Sequence, residues 1–137
     1  MSDGFLRAVE PAGFPPPRGY SHGLLAPAGG RLLFVAGQVG WDAECKLVGD
    51  SFVAQFGRAL ANVVAVVRAA GGAPEHLARL TVYVTDRREY LADLAAVGEA
   101  YRAVMGRHYP AMALVEVSGL LEPGAKVEIE GTAVLPA

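Results

Sequence analysis

Between residues 51 and 70 the chain reads SFVAQFGRALANVVAVVRAA, and its apolar residues Phe52, Phe56, Leu60, Val63, Val64 and Val67 recur at spacings of three and four. That period predicts an amphipathic helix, with Asp50 or Ser51 as N-cap and Gly71-Gly72 as its stop. The period then changes to two. In ARLTVYVT, residues 78–85, Leu80, Val82 and Val84 alternate with Thr81, Tyr83 and Thr85, the pattern of a half-buried strand. A second helix opens where Asp86 and Glu89 stand three apart, as in a capping box. Its inner stripe is Leu91, Leu94, Val97, Tyr101 and Val104 or Met105, up to Gly106.

Three further strands complete the pattern. RLLFVAGQVG, residues 31–40, is a short apolar run after the turn signal APAGG; MALVEVSGL and KVEIEGTAVL lie either side of a Pro-Gly turn and read as a closing ribbon. A further hairpin strand is placed before Gly23 or around residues 46–48. Ahead of these, PAGFPPPRG at residues 11–19 holds four prolines and two glycines, so residues 1–19 are expected to be an extended lead-in. The order strand, helix, strand, helix, strand, strand predicts one α+β domain over residues 1–137, with two helices on one face of a sheet.

The residues that face away from the helices are the informative ones. Alternation puts Val115 and Val117 on one side of the first ribbon strand and Met112, Leu114 and Glu116 on the other; Glu128 and Glu130 oppose Val127 and Ile129 on the last strand. With Thr81 and Tyr83 added, the expected sheet has an aliphatic helix-side face and a mixed face of Met, Leu, Thr, Tyr and Glu. A plain solvated surface would leave Met112, Leu114 and Tyr83 exposed beside the glutamates. A half-buried face turned toward another subunit accommodates the mixture better, and a carboxylate partly withdrawn from water there can exchange protons near neutral pH.

Composition narrows the function classes. The chain is 53% hydrophobic and 19% charged, more apolar than an average domain, which points to an oligomer. A formal charge of −2 with scattered Lys and Arg argues against a nucleic-acid partner. No basic segment followed by an apolar run opens the sequence, and no apolar stretch of about 18 residues occurs, so a cytoplasmic location without membrane contact is expected. The single cysteine, Cys45, agrees with a reducing compartment, and Glu44 beside it works against thiolate formation. GYSHG at residues 19–23 matches the G-x-S-x-G nucleophile pattern, but PPPR before it and LLAPAGG after it are not the strand and helix that Ser21 would need. His22, His76 and His108 lack metal-ligand spacing, and no phosphate or dinucleotide loop occurs; no metal and no cofactor are expected.

Taken in order and spacing, YSHG, VAGQVG, AQFGRALANVVAVVRAAGG, LTVYVTD, EAYRAVM, YPA and LVEV with KVEIEGTAV resemble the reactive intermediate/imine deaminase family, also called RidA-like or YjgF-like, over nearly the whole chain. The resemblance implies a chorismate-mutase-like α+β subunit assembled as a homotrimer, with a small-molecule cleft between neighbouring subunits. In active members that cleft hydrolyses enamines and imines to a 2-keto acid and ammonia. An Arg after the Pro-Ala of the fifth strand grips the substrate carboxylate, and a Glu on the last strand handles water and protons. Carried onto this chain, the resemblance implies Glu128 as acid or base, with Tyr20, Ala36, Gly37, Gly98, Tyr101, Met112, Ala113 and Leu114 as ligand-binding positions.

Several of those positions depart from the family pattern. Met112 stands where the Arg is expected, Ala36 where a Ser precedes Gly37, Gly98 where an Asn is usual, and Leu114 where a small residue is common. Without the Arg, the bidentate fork for a carboxylate is missing, a loss of about 3 to 5 kcal/mol, or on the order of a hundred-fold to several thousand-fold in affinity. Ordinary 2-imino acid deamination is expected to be weak or absent. The expectation is a divergent hydrolase acting on a larger or less anionic metabolite, with a non-catalytic metabolite-binding or protein-interaction trimer as the alternative. A ribonuclease or translation-inhibitor role is weaker, given the net charge. Arg18 and Arg107 are the sequence neighbours that could replace the missing cation.

Overall fold

The computed structural model describes residues 4–137. Two short strands, β1 (Arg7–Val9) and β2 (Gly23–Leu25), pair antiparallel. The main sheet consists of β3 (Arg31–Val39), β4 (Leu77–Val84), β5 (Ala111–Glu116) and β6 (Val127–Leu135), with α1 (Phe52–Ala69), α2 (Arg87–Ala92) and α3 (Leu94–Met105) between them. Residues 11–19 form no regular element, as their prolines predict, but the lead-in as a whole carries β1.

The apolar period of α1 does what it predicts. Ser51 Oγ accepts from the Ala54 amide at 3.2 Å to cap the helix, and Phe52, Phe56, Leu60, Val63, Val64 and Val67 are all buried. They pack on Leu80, Val82 and Val84 of β4 and on Val127, Ile129 and Ala133 of β6. By length and apolarity α1 would qualify as a membrane span, but its apolar face is the inner surface of this core. Gln55 is fully buried among these residues. Its amide donates to the Gly49 carbonyl at 2.7 Å and the Gly124 carbonyl at 3.2 Å, and its oxygen accepts from the Lys126 amide at 2.9 Å. Glycine is required at position 40 because a Cβ there would lie 2.7 Å from the Gln55 backbone.

Two expectations need correction. The second helix is two helices: Asp93, at φ −147° and ψ 71°, interrupts it and caps α3 through the Ala96 amide. Asp86 caps α2 through the Arg88 amide, and Leu91, expected on the inner stripe, is exposed. The closing ribbon is also absent. The strand order is β3-β6-β4-β5, so β6 inserts antiparallel between β3 and β4, while β5 lies parallel to β4 at the sheet edge. A parallel pair needs a crossover connection, and α2 with α3 supplies it.

The order changes the assignment of faces. Met112 and Leu114 stand opposite Leu80 and Val82 in the β4-β5 register, so they belong to the helix side and pack against the core. Glu116, opposite Val84, goes with them. The face away from the helices carries Thr81, Tyr83, Glu128 and Glu130 as expected, but with Ala111, Ala113 and Val115 from β5 in place of Met112 and Leu114. The pleat sets alternation within a strand; neighbour choice and register set which residues of two strands share a side.

Candidate functional site

A cavity of about 230 Å³ opens between α3 and the helix side of the β4-β5 edge. Its floor is Val82, Met112 and Leu114 from the sheet, and Phe56 of α1 and Tyr90 of α2 close one flank. From α3 come Leu94, Val97, Gly98, Tyr101 and Arg102, one turn apart in pairs, as helical spacing dictates. Tyr109 and Gly19 complete the rim.

Tyr101 and Tyr109 stack with ring centroids 5.3 Å apart and an interplanar angle of 4°. The Tyr101 hydroxyl donates to the His108 carbonyl at 2.6 Å, and burial, with the Tyr109 phenol adding to it, pushes its pKa well above the ordinary phenol value. Tyr101 is therefore a neutral, fixed wall. The segment carrying Gly19 is pinned beside β5 by Ser21, whose amide donates to the Pro110 carbonyl at 3.1 Å and whose hydroxyl donates to the Tyr109 carbonyl at 2.6 Å. Ser21 thus has a local structural task. Tyr20 is exposed, stands edge-on to His22 at 5.4 Å between centroids, and does not line the cavity.

Glu128 lies on the other side of the sheet, paired in register with Tyr83. The β3-β6 ladder slips between Val35 and Gln38, passing over Ala36 and Gly37. The Glu128 carboxyl group occupies the space that this leaves: a Cβ at position 37 would come within 2.9 Å of Glu128 Cδ. Nearby, the Tyr83 hydroxyl donates to Glu130 Oε2 at 3.0 Å; that bond, burial and the Glu130 and Glu128 charges raise the Tyr83 pKa. A second hollow of about 290 Å³ on this face is lined by Phe34, Arg79, Thr81, Glu130 and Thr132. Leu32 and Phe34 at the β3 edge of this face and Val115 at its β5 edge are exposed.

Of the positions expected to bind ligand, Gly98, Tyr101, Met112 and Leu114 meet in the cavity, whereas Ala36, Gly37, Ala113 and Glu128 belong to the opposite face. Neither Arg18 nor Arg107 lines the cavity. Arg102 does, and it was missed in the sequence although it stands four residues after Gly98, on the same helix face. Tyr90 and Phe56 were missed as well, since only tertiary packing brings α2 and α1 to the β5 edge. Among the described residues no group of three His, Cys, Asp or Glu side chains is placed to hold a metal ion.

The family model described as Endoribonuclease L-PSP matches residues 12–135. The chain belongs to the RidA/YjgF-like family. A 2-iminobutanoate/2-iminopropanoate deaminase of Salmonella typhimurium is 35% identical over 108 residues, 77% of this chain and 80% of that protein. Protein DfrA of Myxococcus xanthus is 38% identical over 116 residues, 84% of each chain. A solved Rid-family structure from Yersinia pestis, titled a protein of unknown function, matches with a TM-score of 0.84 at 36% identity, covering 96% of this chain and 99% of that one. The RidA/YjgF-like chain therefore keeps the family fold while lining its helix-side cavity with Met112 and Leu114.

Proposed function

We propose that this RidA/YjgF-like chain is a divergent deaminase-type hydrolase acting on a larger or less anionic metabolite than the small 2-imino acids, in a cleft formed between two copies of the chain. The observation that carries the reading is the division of the site. The cavity at Met112 and Leu114 and the carboxylate of Glu128 occupy opposite faces of one sheet, so one subunit holds two halves that only a neighbour can bring together. Leu32 and Phe34 on β3 and Val115 on β5, exposed on the same face of the sheet as Glu128, support such an assembly, because apolar residues left exposed on a sheet face are readily covered by a partner. A homotrimer closes it with three equivalent clefts.

In the composite cleft the apolar wall excludes water from the substrate body and Glu128 works at the reacting carbon. The carboxylate takes a proton from water as its oxygen adds to the C=N carbon and passes it to the nitrogen, giving a carbinolamine; a second proton then moves through the carboxylate from the new hydroxyl to the amino nitrogen as C=O forms and the C–N bond breaks. One imine and one water give one carbonyl compound and one ammonia. The Salmonella relative named as an iminobutanoate/iminopropanoate deaminase supports this reaction class.

The test is ammonia and carbonyl release from 2-aminoacrylate and from bulkier imines, on the native protein, Met112→Arg and Glu128→Gln. The proposal expects little turnover of 2-aminoacrylate, more with bulky imines, a gain on 2-aminoacrylate in Met112→Arg and loss of all of it in Glu128→Gln. Saturable binding without any turnover favours the second reading, a non-catalytic metabolite-binding trimer, which is supported by Met112 standing where the family resemblance leads one to expect an Arg.

A further inference from the structure

Arg102 is the one charged residue lining the helix-side cavity, whose remaining surface is aromatic, aliphatic and glycine. Among the described residues no hydrogen bond or ion pair engages its guanidinium. No carboxylate lines the cavity to oppose it.

The backbone beneath makes room for that placement. Gly98 sits inside α3, where glycine costs about 1 kcal/mol relative to alanine. Arg102 folds back one turn across it, and a Cβ at position 98 would stand only 3.0 Å from Arg102 Nη1. A residue unfavourable to the helix thus lets a guanidinium lie against the mouth of an apolar cavity. Beyond it, Leu94, Val97, Met112 and Leu114 accept a hydrophobic body, and the Tyr101-Tyr109 stack gives that body a flat wall.

We propose that Arg102 is the anion receptor of this cavity, and that the ligand is an amphipathic monocarboxylate whose bulky aliphatic or aromatic body fills the pocket while its carboxylate meets the guanidinium at the rim. The inference rests on the reading of this cavity as the ligand-binding half of the cleft, and it selects between the two substrate types left open above: the ligand is larger, not less anionic. An arginine on a helix at the rim reaches a carboxylate farther from the strand than an arginine at position 112 would. A planar fork with five donors holds such a group in two hydrogen bonds, which a lysine cannot reproduce. Specificity then follows from length, because a short anionic ligand cannot touch both Arg102 and the apolar floor.

The experiment compares 3-phenylpropanoate with its uncharged amide, 3-phenylpropanamide, by calorimetry and by perturbation of tyrosine fluorescence, on the native protein, Arg102→Gln, Arg102→Lys and the control Arg107→Gln. The expected result is an acid at least ten-fold tighter than the amide, a preference abolished in Arg102→Gln with the amide affinity unchanged, only partly restored in Arg102→Lys and untouched in Arg107→Gln. An acid preference that survives Arg102→Gln, or failure of both probes to bind the native protein at millimolar concentration, overturns the inference. Turnover separates it from the catalytic proposal. Arg102-dependent acid binding without imine hydrolysis leaves the receptor standing and removes the enzyme, whereas hydrolysis of bulky imino acids with unchanged KM in Arg102→Gln does the reverse.

Discussion

Replacing Gln55 by leucine removes a polar side chain of similar size from the only fully buried polar position among the described residues. Three backbone groups lose a partner: the Gly49 and Gly124 carbonyls and the Lys126 amide. An orphaned buried group costs about 1 to 3 kcal/mol. Gly49 and Gly124 are themselves exposed, so water can reach their carbonyls and most of the cost falls on the Lys126 amide. The sum is about 2 to 4 kcal/mol, a large share of the roughly 5 to 15 kcal/mol that holds such a domain folded. At ~3–5 °C per kcal/mol for a chain of this length, Tm falls by roughly 6 to 20 °C. Thermal and urea unfolding at matched protomer concentration measure it, with an unchanged urea slope as the check that the denatured state is the same. The functional echo is at Glu128, two residues beyond Lys126, whose strand loses its anchor at the start. A stability loss below about 1 kcal/mol would refute the reasoning and mean that the loops at 49 and 124 are held by other contacts.

Gly37→Ala pushes a methyl group onto the Glu128 carboxyl, a flexible side-chain end, so a small stability change of about 1 kcal/mol or less is expected with at least a ten-fold loss of any imine hydrolysis; equal stability and equal activity would separate Glu128 from the chemistry. Phe34→Glu places a charge at a 74%-exposed position on the open sheet face and is expected to shift the assembly toward monomer in light scattering, unless that face is free in solution. Tyr101→Phe removes a buried donor to the His108 carbonyl and should cost about 1 to 2 kcal/mol near neutral pH. Because the folded-state pKa of Tyr101 is raised, its contribution is complete below pH about 10 and is lost as pH rises above that value, so unfolding curves of the Phe variant should fall off less steeply on the alkaline side.

Much of this fold could be read from side-chain periodicity. The stripe of α1, its Ser51 cap and the alternation in β4 all follow from local sequence, because the 3.6 and 2.0 periods put apolar residues on one side without reference to the rest of the chain. The break at Asp93 was harder to see. Leu91 and Leu94 keep a helical spacing across it, and only the competing cap at Asp93 ends one helix and starts another. The family could be recognised because its motifs are mostly such local features, spread along the length of the chain.

The site was less legible. Sequence alone determined that Met112 and Leu114 share a side of β5 and that Glu128 and Glu130 share a side of β6, since alternation within a strand is a property of the pleat. It did not determine whether those two sides are the same. Tertiary structure decided that by placing β6 between β3 and β4 and sending β5 to the edge through a helical crossover, which turned Met112 and Leu114 toward the helices and left Glu128 on the open face. The same crossover laid Arg102 over the cavity that Met112 floors. The relative phase of two strands is set by pairing and register, which are long-range contacts, and no local pattern encodes them.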